Sequence, residues 1–154
     1  MSRLVAINAF GWQPAGVGFR GMLTTMGNPL MREMDAFTGW LPRASATRFG
    51  VGRRWDRATR AAYRHGLGRP QRRALHRYMA DARRHDYDRI DRAVDALGDR
   101  PLLTIFGEHN DPLHFQPQWK ARFPTATQIV VPRGFHFPMC DDPHLVSAAI
   151  AEWT

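Results

Sequence analysis

Three short apolar runs constrain the fold of this 154-residue chain more than anything else: LVAINAF at 4–10, PLLTIF at 101–106 and ATQIVVP at 126–132. Each is partly β-branched, short, and closed by Gly or Pro, which reads as a buried strand. Near-continuous apolarity, without alternation, suits a parallel sheet covered on both faces. Parallel strands need crossover connections. The chain offers HFQPQWKARF (114–123) between the second and third runs and DPHLVSAAIAEW (142–153) after the third. The latter is the best-marked helix: Asp142 can cap it, Pro143 suits its first turn, and Leu145, Val146, Ala149, Ile150 and Trp153 share one face. Residues 101–154 therefore read strand, helix, strand, helix, and the fold class is α/β with about three parallel strands and flanking helices.

The stretch between the first and second runs differs in kind. Residues 19–98 read as helices separated by GNP (27–29), LPR (41–43), FGVGRR (49–54) and GLGRP (66–70). The clearest are PQRRALHRYMADARRH, with Ala74, Leu75, Tyr78, Met79 and Ala82 on one side, and YDRIDRAVDALG, with a Tyr87, Ile90, Val94, Leu97 stripe and Gly98 as its stop. The expected organisation is a sheet-bearing unit made of 1–18 and 99–154, interrupted by a helical insertion at 19–98.

The net charge of +8 is regional: residues 43–92 hold 15 of the 22 basic residues and five of the 14 acids, a balance of +10 that leaves the rest at −2. Such a region could bind nucleic acid, with steep salt dependence. No aromatic interleaving, zinc-ligand pattern or RNA-binding signature accompanies it, and Arg interspersed with Ala and Asp describes a solvated helix face. Nucleic acid is therefore set aside as a partner. No apolar run approaches a membrane span, and the N-terminus lacks the features of a signal peptide. The single Cys140 can form no internal disulfide. These features together give the expectation of a cytoplasmic protein.

Two loops follow strands directly, at the edge of an open α/β sheet where ligands bind: FGEHNDP (106–112) and RGFHFP (133–138). Adjacent parallel strands would bring Asp111 and His136 together. A carboxylate that accepts the Nδ1 proton of an imidazole fixes its tautomer and stabilises the imidazolium formed when Nε2 takes a proton. Asp111 and His136 are thus the candidate catalytic pair, with Glu108 as an alternative acid. Phe10, Trp12, Phe135 and Phe137 cluster at strand ends, where they line either an apolar substrate pocket or ordinary core. His109 reads as an exposed loop residue, and His65, His76 and His85 as solvent-facing residues of the Arg-rich helices. Cys140 lacks the cationic surroundings of a reactive thiolate. No metal and no cofactor is expected.

FGEHNDP, a strand, and then GFHFPMCDDPHLVSAAIAEW resemble the end of an α/β-hydrolase of the haloalkane dehalogenase-like branch. RLVAINAFGWQP resembles the strand that precedes the cap in that family, and 19–98 the helical cap itself. The resemblance implies a partial α/β-hydrolase fold, with Asp111 as triad acid and His136 as the base that activates water. It also implies a small apolar substrate. The nucleophile of the family lies on a strand-to-helix elbow earlier in the chain, as Ser in G-x-S-x-G or as Asp. No residue here occupies such an elbow: Ser2, Ser45 and Ser147 lack its frame. The resemblance therefore implies hydrolysis of a C–halide or ester bond, the nucleophile being Asp or Ser, with the chain inactive alone. The alternative is a non-catalytic fragment that pairs with an N-terminal half, or self-associates through the exposed edge of strand 4–10.

Overall fold

The second strand carries the sheet. The computed structural model describes residues 3–10, 12, 16–82, 87–111 and 113–153. In it, β2 (Leu102–Gly107) lies between β1 (Leu4–Ile7) and β3 (Thr127–Val131), all parallel, with Leu4 opposite Leu102 and Gly107 opposite Val131. All six residues of β2 are buried, as a centre strand with helices on both faces requires.

Its side chains alternate between two cores. Leu102 and Phe106 face Trp12, Val94, Phe115, Trp119 and Phe123, whereas Leu103 and Ile105 face Val131 and Val146, with Leu145, Ile150 and Trp153 packed against them. Leu103 and Ile105 are 0% exposed, and each such side chain contributes about 1.5–3 kcal/mol by burial. The first core is closed by α6 (Tyr87–Asp95) and α7 (Phe115–Arg122), the second by α9 (Pro143–Trp153), with the short α8 (Pro138–Asp141) before it. Asp142 caps α9 by accepting the Leu145 N–H at 3.0 Å, as the sequence leads one to expect.

The chain divides into two units, 1–13 with 87–154, and 14–86. The division falls before α6, so YDRIDRAVDALG groups with the sheet: its Val94, Ile90 and Leu97 join the Phe106 core. The second unit comprises α1 (Val17–Met26), α2 (Pro29–Thr38), α3 (Trp40–Ser45), α4 (Arg57–Gly66) and α5 (Arg69–Ala82). Asn28 caps α2 through the Leu30 N–H at 2.8 Å, and Gly39 ends it at φ 63°, a left-handed conformation suited to glycine.

This unit holds a buried polar network. His76, expected to face solvent, is 0% exposed, as is Asp35. His76 Nε2 lies 3.1 Å from Asp35 Oδ2 and its Nδ1 donates to the Met26 carbonyl, while Asp35 Oδ1 accepts the Leu41 N–H at 2.8 Å. Arg72 donates to the carbonyls of Asp35, Ala36 and Leu67. Mutual satisfaction lets two polar side chains occupy a core that periodicity assigns to apolar ones. His85 lies outside the described residues. Among the described residues, no helix is long and apolar enough to cross a membrane.

Removing one partner of this pair strands the other without water. Asp35→Ala is expected to cost about 3 kcal/mol or more in urea unfolding. Asp35→Leu combined with His76→Leu should cost less than the sum of the two single changes, because the double replacement leaves no orphaned polar group.

Candidate active site

The loops that follow the three strands interlock at their carboxyl ends. Asn8, the residue after β1, has φ 44°, a left-handed conformation that Asn tolerates better than most residues. Its Nδ2 donates to the carbonyls of Phe135 and His136 at 2.9 and 2.8 Å, and its Oδ1 accepts the Gly107 N–H at 3.1 Å. One side chain thus joins the end of β2 to the loop after β3.

The second and third loops also bond directly. His109 N–H donates to Gly134 O at 2.9 Å, Glu108 N–H to Val131 O at 3.1 Å, and Arg133 N–H to Glu108 Oε2 at 2.6 Å. The approach is so close that a Cβ on Gly107 would sit 2.2 Å from the Phe135 carbonyl oxygen and 2.6 Å from the Gly134 carbonyl carbon. Glycine is required there for contact distance. From the far side, the buried carboxylate of Asp141 accepts the Phe135 N–H at 2.6 Å.

This framework presents His136. The residue is exposed, and its ring meets that of Phe137 edge-on at 4.8 Å. Solvent reaches part of the residue, yet burial around the imidazole pushes its pKa below the ordinary 6.5. The partner at Nδ1 is Asn110, whose Nδ2 lies 3.2 Å away.

The expected pairing of Asp111 with His136 is therefore not the one observed. Both Asp111 oxygens are taken by the start of α7: Oδ1 accepts Phe115 N–H at 2.6 Å and Oδ2 accepts Gln116 N–H at 2.9 Å. Two donors at the positive end of a helix hold that carboxylate, and the residue before it reaches the histidine instead. Glu108, the alternative acid, is engaged by Arg133 as described.

The four aromatic candidates separate. Trp12 is 7% exposed and packs against Trp119 at 4.9 Å, with the Arg122 guanidinium 4.8 Å from its ring. Phe10 stacks on Phe115 at 4.4 Å and 11°. Both belong to the core around Phe106. Phe137 contacts the His136 ring, and Phe135 tilts against His109 at 5.4 Å. Cys140 is exposed, and partial burial of its thiol, with Asp141 beside it, pushes its pKa up, away from the thiolate. Among the described residues, no group of three His, Cys, Asp or Glu side chains is placed to hold a metal ion.

The residues that sequence reasoning passes over are Asn8, Asn110, Gly107 and Asp141. Only Gly107 leaves a clear mark, as a glycine ending a buried strand. The three polar side chains act on backbone atoms or on one ring nitrogen, and composition carries no signal of such roles.

Two outcomes follow from this geometry. Gly107→Ala must push the 134–136 segment away, so it is expected to destabilise by about 1–3 kcal/mol in denaturant unfolding and to shift the His136 ring resonances. The His136 resonances should titrate with a midpoint below 6.5. With the folded-state value depressed, the unfolded chain binds the proton more readily, so His136 lowers stability as pH falls below about 6.5. His136→Gln is expected to remove that component from the pH profile of unfolding.

No protein-family model matches the sequence, and no curated protein matches it. Solved structures do match the fold. One described as an ancestral haloalkane dehalogenase shares 18% identity at a TM-score of 0.72, over 97% of this chain and 58% of that one. A hydrolase from Pseudomonas aeruginosa PA01 shares 19% at 0.64, over 99% and 55%. A thermophilic esterase from Thermogutta terrifontis, with malate bound, shares 17% at 0.64, over 97% and 54%. The chain thus spans a little over half the length of these proteins. What they share with it is the fold: three parallel strands with flanking helices, consistent with the C-terminal part of an α/β-hydrolase.

Proposed function

We propose that this chain, with the fold of part of an α/β-hydrolase, supplies the histidine side of a hydrolase site acting on C–halide or ester bonds, and that His136 is its reacting imidazole. The observation that carries the reading is the placement of His136 at the carboxyl end of β3, held at Nδ1 by the loop after β2. That is the edge at which α/β folds bind and transform ligands. The haloalkane dehalogenase and esterase among the structural neighbours support the two bond classes.

In the dehalogenase version, a carboxylate nucleophile displaces halide and forms an alkyl ester. In this version and the esterase one, His136 Nε2 accepts only when Nδ1 carries the ring hydrogen, so the Asn110 amide must first turn its oxygen to Nδ1–H. Nε2 then takes a proton from the water that attacks the ester carbonyl and passes it to the departing alkoxide, which frees the alcohol and regenerates the carboxylate. In the esterase version, Nε2 takes the proton of a serine hydroxyl and returns it to the leaving alcohol. Either version needs a nucleophile on polypeptide outside these 154 residues. The free side of β1 is where further strands would add, because among the described residues β1 pairs with β2 alone and Val5 is 40% exposed. Phe137, whose ring meets that of His136, is read as a side chain that borders substrate, and Asp111 as supporting the site by fixing the start of α7.

Without a nucleophile the imidazole has no covalent step to assist. The purified chain is expected to show no His136-dependent turnover of a short nitrophenyl ester or of a bromoalkane. Turnover that disappears in His136→Ala would overturn the assignment of the nucleophile to polypeptide outside the chain.

A further inference from the structure

We propose that Asn110 is a positioning residue that holds neutral His136 in the tautomer carrying its hydrogen on Nε2, so that the ring offers a donor to the site, and not a lone pair. The proposal rests on the reading of His136 as the site's imidazole. It concerns a property that can be measured whether or not hydrolysis occurs.

The geometry is one of donors and acceptors. A neutral imidazole has one N–H and one lone pair, and an amide NH2 only donates. Asn110 Nδ2 faces His136 Nδ1 at 3.2 Å, so Nδ1 accepts and the ring hydrogen belongs on Nε2. A carboxylate in the same place would select the opposite tautomer, because it accepts and needs Nδ1–H.

The acids of these loops and of α8 accept backbone N–H groups. Asp111 takes the Phe115 and Gln116 N–H groups, Glu108 takes the Arg133 N–H, and Asp141 Oδ2 takes the Phe135 N–H. Of the other titratable and charged groups on these loops, His109 packs on Phe135, Arg133 gives its backbone N–H to Glu108, and the Cys140 thiol stays protonated. The amide of Asn110 is thus what meets the ring at Nδ1.

Two consequences follow. Protonating His136 puts hydrogen on both nitrogens, so Nδ1–H would meet the amide NH2 unless the Asn110 side chain turned to present Oδ1. Protonation is therefore resisted at Nδ1 as well as by burial. Proton abstraction needs a free Nε2 lone pair, so the ring as held suits an acceptor atom at the site, and base chemistry requires the amide to turn. One substitution, Asn110→Asp, should convert the donor into a base.

The experiment is nitrogen-15 NMR of the full chain, reading the imidazole nitrogens and titration of His136. The expected result is hydrogen on Nε2 in the unmodified chain. In Asn110→Asp, hydrogen should move to Nδ1, and the titration midpoint should rise by about one pH unit or more from the adjacent carboxylate. Nδ1–H in the unmodified chain overturns the proposal and needs no variant to fold. A folded Asn110→Asp chain with tautomer and midpoint unchanged overturns it as well. A residue that only supported the loop would leave the tautomer where it was, so Asn110→Asp separates positioning from support.

Discussion

The side-chain amide of Asn8 turns three strand ends into one platform. Its carboxamide faces two carbonyls with its NH2 and one N–H with its oxygen, and that pattern fixes its orientation. The left-handed backbone at Asn8 is the cost, and the three bonds offset it. What lies beyond depends on this tie: the loop after β3 can lie on Gly107 only because nothing projects from it, and His136 leaves that loop already held. Below the platform, β2 is buried on both faces and gives the strand ends little freedom to shift.

Charge is used at the site in a consistent way. Glu108, Asp111 and Asp141 all lie close in sequence to His109 or His136, and each accepts backbone N–H groups. Charge-assisted bonds of this kind are stronger than neutral ones, so the acids fix loop shape. Among the described residues, the Asn110 amide and the Phe137 ring edge contact the His136 ring, and solvent reaches part of the residue. This division of labour explains why Asp111, the aspartate that the sequence pairs with His136, is not its partner in space.

The sheet is the most legible part of the fold. Apolar runs at 4–10, 101–106 and 126–132 become β1, β2 and β3 with ends shifted by up to three residues, because burial on both faces is a demand that composition records directly. The last helix was equally open to reading, since Asp142 and Pro143 mark its start. The boundary of the helical insertion was not, because a stripe such as Tyr87, Ile90, Val94 and Leu97 shows that α6 buries one face without showing which core receives it. His76 shows the reverse problem: a polar residue amid arginines reads as exposed until Asp35, 41 positions away, is seen to satisfy it. At the site, His136 was legible from its loop, and its partner was not. Asn110 and Asp111 are neighbours in sequence, and the choice between them is made by α7, whose first N–H groups claim the carboxylate.

If the three strand ends form one rigid platform under His136, amide hydrogen exchange at the loops will show it. The amides of Gly107, His109 and Phe135 donate respectively to Asn8 Oδ1, Gly134 O and Asp141 Oδ2. These loop amides are expected to exchange as slowly as those of the central strand, and Asn8→Ala to release Gly107 first. Exchange at the rate of an open surface loop in the unmodified chain would contradict a rigid platform.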